Sequence, residues 1–381
     1  MLKAVPSKEN QMQARLAAPA TLIKVRPDPN RIAVFANRNA RKVSDRLAKR
    51  LERLVGSDHF FYSRSLEEAE AIAREIVQRG YGTVVCGGGD GTLARAINMV
   101  LKYIDEANAW RIERFKRYGE VQNLLEAPRF GFLRLGTGNG MSRVVGARNP
   151  LDDLQRIVDY APGRTHEISL IEHGGEHFFF GGLGYDSIVL DDYNALKSRT
   201  QNPILKPFMQ GLGGYFAAVL SQTLPRYLLG RQNRLEGRVI SRGRAFYIDP
   251  RRGDAAIEIE PGSTLFEGNA TMIAAGCSPF FGYGFKVFPF ANMMPKMMQL
   301  RITNMGPLSA LAAIPSLWRG HYRNRRSIFD FLVEDVRIEL DHEFPFQHSG
   351  DAQGVRQEVD MHVAPDPLRL VDYYSPLIAN R

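Results

Sequence analysis

Residues 86–92, Cys-Gly-Gly-Gly-Asp-Gly-Thr, set one carboxylate inside a run of four glycines. Glycines remove the Cβ atoms that would keep an anion away from backbone N–H groups, and a helix beginning just after them adds its partial positive charge. Asp90 would repel a phosphate unless a divalent cation or a transferable proton lay between them. The loop therefore points to a metal-bound nucleotide and to phosphoryl transfer. Glycines also line strand–helix turns for tight packing alone, so the setting matters. No Gly-Lys-Ser/Thr follows, which excludes a Walker loop, and no glycine sits two or three residues into the helix, which excludes a Rossmann fingerprint.

The setting is strand, turn, helix. Tyr81 to Val85 is a short β-branched run, and Leu93, Ile97, Val100, Leu101 and Ile104 recur at helical spacing. Upstream, Arg31 to Ala36 predicts a buried strand, and Ser44 caps a helix with Leu47, Leu51 and Leu54 on one stripe before Gly56. Phe60-Phe61-Tyr62 predicts a second strand, and Ser65-Leu66-Glu67-Glu68 a capping box for a helix to Arg79 with Gly80 beyond. Such a β-α-β-α-β series implies a parallel sheet with ligand at the carboxyl ends of its strands. A second turn follows in Phe130 to Asn139, where a strand runs into Leu135-Gly136-Thr137-Gly138-Asn139. Two such turns in one sheet can face each other across a nucleotide. The charged stretch from Lys102 to Pro128 reads as a solvated helical insertion.

Residues 1–30 are polar and proline-containing, and read as a mobile leader. After a helix from Leu151 and the pair Pro162-Gly163, the pattern turns from helical to alternating. Residues 165–171, 177–180, 255–260, 271–275, 298–302, 336–340, 344–347 and 358–363 predict strands. This divides the 381 residues into an α/β nucleotide-binding domain over 31–164 and a mainly antiparallel β domain over 165–381, with a helical insertion at about 191–235. Two cysteines, Cys86 and Cys277, cannot build a disulfide framework and suit a reducing cytoplasm. Met1 to Ala17 lacks the apolar core of a secretory signal. The eight histidines show no pair at metal-ligand spacing on one helix; His173 and His177 flank a hairpin turn and read as surface residues. The net charge of +9 favours polyanionic partners in general.

Gly88-Gly89-Asp90-Gly91-Thr92 resembles the signature shared by diacylglycerol, sphingosine and ceramide kinases and by NAD kinases. The second turn, Leu135 to Asn139, resembles that of the lipid kinases alone, and Arg143 falls where that family usually has an arginine. Gly184-Tyr185-Asp186, Phe281 to Lys286 and Pro289-Phe290-Ala291 are similar, in the same order, to segments of the family's second domain. The resemblance implies an α/β domain followed by a β-sandwich, with ATP and Mg²⁺ across the turns and a membrane lipid entering between the domains. It assigns nucleotide binding to Asn37, Gly88, Gly89, Asp90, Gly91, Thr92, Gly136, Thr137, Gly138 and Asn139. It gives Asp90 the ordering of the nucleotide-bound Mg²⁺, Asp351 the acceptor hydroxyl's proton, and Asp186 and Arg143 the acceptor side. Asp90, lying in a turn, is expected to be removable without unfolding the chain.

Several positions depart from the family pattern. Only Asn37 survives of its Asn-Pro and Ser-Gly turn, and Arg95 replaces the usual glutamate, reversing a charge near the phosphates. Pro295-Lys296 stands where an Asp-Gly of a structural magnesium site would be, Gly140 replaces an aspartate common in diacylglycerol kinases, and Ser349-Gly350-Asp351 replaces Asp-Gly-Glu. An NAD kinase-like enzyme with a soluble acceptor and a catalytically weak lipid or nucleotide sensor are the alternatives. The expected partners are a lipid substrate and an anionic membrane surface, not nucleic acid, with the protein cytoplasmic and membrane-peripheral. Residues 211–230 are too interrupted to span a bilayer. The apolar run Met305 to Trp318, ending in the basic segment to Arg326, is either an interfacial anchor or a core helix with a solvated basic end.

Overall fold

The computed structural model describes residues 22–40, 42–136, 139–160, 163–184, 187–188, 235–281, 285–321, 324 and 326–373. The leader, the insertion expected at about 191–235, and Thr137, Gly138 and Asp186 lie wholly or mainly outside them. The first unit runs through β1 (Ile23–Val25), β2 (Ile32–Asn37), α1 (Asp45–Val55), β3 (Phe60–Ser63), α2 (Leu66–Gln78) and β4 (Thr83–Gly88). It continues with α3 (Asp90–Tyr118), β5 (Asn123–Leu125), β6 (Arg129–Arg134), α4 (Met141–Val144), α5 (Pro150–Tyr160) and β7 (Thr165–Ile168).

Local chemistry starts these helices as the sequence predicts. The Ser44 hydroxyl accepts from the Leu47 N–H, and the Ser65 hydroxyl from the Glu68 N–H. Glu68 reaches back to the N–H of Arg64, one residue before the cap. The stretch expected to be a separate insertion after Lys102 is instead the continuation of α3, a single helix of 29 residues that ends at Gly119 in the left-handed region. Its polar second half has left the sheet, so the apolar stripe fades while the backbone hydrogen bonding continues.

The second unit is built from β8 (Ile171–His173), β9 (Glu176–Phe178), β10 (Phe180–Gly184), β11 (Leu235–Ser241), β12 (Ala245–Ile248), β13 (Ala255–Ile259), β14 (Thr264–Ala270) and β15 (Met272–Gly276). There follow β16 (Met298–Thr303), α6 (Pro307–Arg319), β17 (Ile328–Val333), β18 (Asp335–His348), β19 (Asp351–Val363) and β20 (Leu368–Val371). The strands predicted at 336–340 and 344–347 are one strand, β18, whose register with β19 shifts between Glu339 and Phe344. Its first half pairs with β11 and its second with β10, so it passes between layers. Side chains of β11, β15, β16, β17 and β18 close one apolar core, as in a sandwich. Within that sheet Arg301, 1% exposed, makes a two-pronged ion pair with Asp330 directly across the β16–β17 ladder.

The first sheet has the order β3-β2-β4-β6-β20-β7. β2, β3, β4 and β6 are parallel, as predicted, and β20 is parallel to β6 and antiparallel to β7. A boundary at 164/165 therefore does not separate the sheets: β7 and β20, placed by sequence in the second domain, both pair in the first. The Phe132 N–H donates to the Tyr373 hydroxyl at 2.7 Å, fixing this return. Phe179, Phe180, Ala274 and Phe288 share a core with Val34, Val85 and Phe132, so the two units are packed as one body.

Candidate active site

β4 ends in the first glycine turn and β6, its neighbour, in the second. The Gly136 and Leu135 N–H groups both donate to the Gly88 carbonyl, at 2.7 and 3.1 Å. A Cβ at Gly136 would stand 2.2 Å from the Gly89 Cα, so this approach demands glycine. Gly136→Ala should cost on the order of 1–3 kcal/mol of stability by overpacking and should loosen nucleotide binding, read by urea unfolding and ATP titration. Wild-type values in both would mean that the turns can separate without loss.

Asp90 is the first residue of α3 and only 8% exposed. Its Oδ2 accepts the Gly140 N–H at 2.7 Å and its Oδ1 the Met141 N–H at 2.9 Å. The carboxylate thus ties the start of α3 to the start of α4, so its removal is expected to cost stability as well as activity. Burial pushes its pKa above the ordinary aspartate value, and the two N–H donors pull it partly back. Asn139, 3% exposed with φ of 47°, turns inward: its side chain holds both the N–H and the carbonyl of Gly136. It shapes the turn, and its amide is spent there. The Asn37 amide donates to the Thr92 hydroxyl at 3.4 Å, bringing the end of β2 to the first turn. Gly89, the cap of α3, has no side chain to offer the first-turn N–H groups, so that helix start is open to an anion.

The β18–β19 hairpin delivers the C-terminal carboxylate. His348 pairs with Asp351 across a two-residue turn, Ser349-Gly350, with φ of 50° and 84°. Asp351 Oδ2 lies 3.1 Å from where a Gly91 Cβ would be, directly over the first turn. The Arg95 guanidinium donates to the same oxygen at 2.8 Å. Asp351 therefore both follows the hairpin turn and lies against the first glycine turn. Arg95, expected to face phosphates, meets a carboxylate instead. Arg143, on α4, lies over the Phe280 ring at 5.8 Å, with Lys286 at the same distance from that ring. Among the described residues no group of three or more His, Cys, Asp or Glu is placed to hold a metal ion.

Sequence reasoning missed His348. It is the cross-strand partner of Asp351, stacks on Phe178 at 4.6 Å and meets Glu176 at 2.9 Å. Burial lowers its pKa, opposed by Glu176 and Asp351, while His173 also lowers it. The unfolded chain then binds more protons below about pH 6.5, so stability falls as pH drops from there toward the folded-state value. Urea midpoints from pH 7.5 to 5 should show this slope. It should be shallower in His348→Gln, though not flat, because burial lowers His177 as well. Parallel profiles would remove His348 from the acid response. His177 is not a free surface residue: Asn98 of α3 clamps its N–H and carbonyl, each at 2.7 Å. Burial holds the Cys86 thiol up at about 12, so it is no nucleophile.

In the run that ends at Trp318, the Trp318 ring packs on Phe285 at 4.5 Å and Ala313 is buried, while Leu308, Arg319 and Arg326 are exposed; Arg323 and Arg325 lie outside the described residues. No helix among the described residues is long and apolar enough to cross a membrane.

Residues 31–173 match the diacylglycerol kinase catalytic domain family. Solved structures share the fold over nearly the whole chain. A candidate diacylglycerol kinase of Bacillus anthracis str. Sterne is 14% identical, with a TM-score of 0.61 over 93% of this chain and 99% of its own. A diacylglycerol kinase structure from the same organism is 11% identical, with a TM-score of 0.55 over 92% and 98%. No curated protein matches the chain. The strand, the two glycine turns and the helices around Asp90 all fall inside the segment that is similar to that catalytic domain.

Proposed function

We propose that this protein is an ATP-dependent lipid kinase that phosphorylates a hydroxyl of a membrane lipid of the diacylglycerol, sphingoid or ceramide type. The observation that carries the reading is Asp351 lying over Gly91 at the uncapped start of α3. A proton acceptor is thereby held beside an anion cradle, the arrangement that in-line transfer to a hydroxyl needs. The cradle fits a nucleotide phosphate, since Gly89 puts no side chain over the first-turn N–H groups of α3.

Bound ATP·Mg²⁺ would supply the phosphoryl group and much of the charge neutralisation. The chain's own residues do the rest. Backbone N–H groups at 90–92 hold phosphate oxygens, Asp90 keeps the two turns together, and Asp351 takes the hydroxyl proton. Arg143, Phe280 and Lys286 form a rim where α4 meets the second unit, suited to an anionic lipid surface, so that the protein would work at the membrane periphery. Asp186 would face the acceptor. Transfer from labelled ATP to a panel of lipids in mixed micelles, with NAD as a soluble acceptor, tests the proposal. Label in one lipid class supports it; label only in NAD, or in nothing, refutes it.

A further inference from the structure

We propose that Arg95 is the positioning residue of Asp351: a latch from α3 that fixes one carboxylate oxygen so that the other meets the acceptor hydroxyl. The inference rests on the kinase reading for its catalytic part and on geometry alone for the latch.

Arg95 stands one helical turn beyond Gly91, on the same face of α3. Asp351 Oδ2 is held between them, 2.8 Å from the guanidinium and 3.1 Å from the position of a Gly91 Cβ. The sheet by itself does not set this carboxylate. The β18–β19 ladder is irregular between Pro345 and Gln347, Ser349 and Gly350 are both in the left-handed region, and Gly354 follows at φ of 77°. The tip is otherwise held by the Ser349 N–H on the Phe180 carbonyl and the Gly350 N–H on the Gln347 side chain, while the buried Ser349 hydroxyl has no partner. None of these contacts orients the Asp351 side chain. Arg95 does.

The pair's side chains are 54% and 38% exposed. Ion pairs this open add little to folding stability, whereas a small misplacement of a reacting group can cost a large factor in rate. The contact is therefore worth more to the orientation of Asp351 than to the fold. An acidic residue at position 95 would repel Asp351 from the turn, and a short neutral one would leave it to swing with the tip.

The experiment uses the full chain. Amide hydrogen exchange at residues 347–353, without nucleotide, should quicken in Arg95→Ala and largely recover in Arg95→Lys. Exchange unchanged in Arg95→Ala overturns the latch whatever the enzyme does. In turnover, Arg95→Ala should lower kcat about ten- to a hundredfold with the KM for ATP unchanged, and Arg95→Lys should restore most of it. Because Arg95 acts through Asp351, Arg95→Ala should cost nothing further in an Asp351→Asn background. An additive loss, or an unchanged kcat in the single variant, overturns the positioning role. Quickened exchange in a protein whose wild type transfers phosphate to no acceptor would uphold the latch and defeat the kinase reading.

Discussion

Asp90→Ala is expected to abolish turnover and to destabilise the fold by about 2–4 kcal/mol, because it leaves the Gly140 and Met141 N–H groups buried without an acceptor. Two opposing quantities set that figure. Charge-assisted bonds to a carboxylate are stronger than neutral ones, yet keeping the charge buried at 8% exposure is itself costly, and the raised pKa says that burial outweighs the two donors. For an acid whose folded pKa lies above the unfolded one, the folded state binds more protons in the window between them. The group's contribution to stability is therefore largest below about pH 3.8 and declines as pH rises through the folded value. Alanine removes the desolvation penalty along with the bonds, so its cost at neutral pH is less than two lost charged bonds would suggest. Asp90→Asn, with one acceptor oxygen and one misplaced NH₂, should fall between. Urea unfolding and ATP titration measure both effects. A wild-type urea midpoint for Asp90→Ala would show that the turns do not depend on this carboxylate.

Asp351→Asn should lower kcat by roughly two to four orders of magnitude while ATP affinity stays almost unchanged. The amide keeps an oxygen for Arg95 and suits the position after a Ser-Gly turn, so the hairpin should stand, and stability should move by less than about 1 kcal/mol given how open the ion pair is. Only proton acceptance is lost. Full activity in this variant would make Asp351 a turn residue and no more. Neither Ser349 nor His348 offers a ready substitute. The serine hydroxyl is no base near neutral pH, and His348 is engaged with Glu176.

What the sequence disclosed follows the range of the interactions involved. Caps, turns and the apolar stripe of α1 and α2 are settled within a few residues, and they were legible. β11 carries Glu236, Gly237 and Arg238 in its middle, and β17 carries Asp330. Charged residues in the middle of a strand break its alternating pattern, and their place is explained only when Arg238 is seen to pair with Glu339 and Asp330 with buried Arg301 on neighbouring strands. The four residues of β20 are too short for any period to register. In the site, the positions of Asp90 and Asp351 were legible through their motifs, but their partners were not. Arg95 and Asp351 lie 256 residues apart, and a reversed charge becomes intelligible only when the opposite charge is found beside it. Asp90 read as a group facing solvent and phosphate because nothing local reveals that α4 turns its N–H groups toward it.

The insertion of β20 between β6 and β7 also bears on how the protein is made. A ribosome releases the chain from its N-terminus, and the strands that carry both glycine turns emerge early. Their sheet nevertheless keeps an open edge at β6 until residues 368–371 arrive, after the whole second unit has been synthesised. Contacts of such long sequence separation slow folding and leave a sticky strand edge exposed in the meantime. The nascent chain thus passes through a stage with a finished-looking cradle on an unfinished sheet, during which a chaperone or the second unit itself has to shield β6. The nucleotide binding proposed above would wait for residues 368–371, so fragments that stop short of them would not sequester ATP.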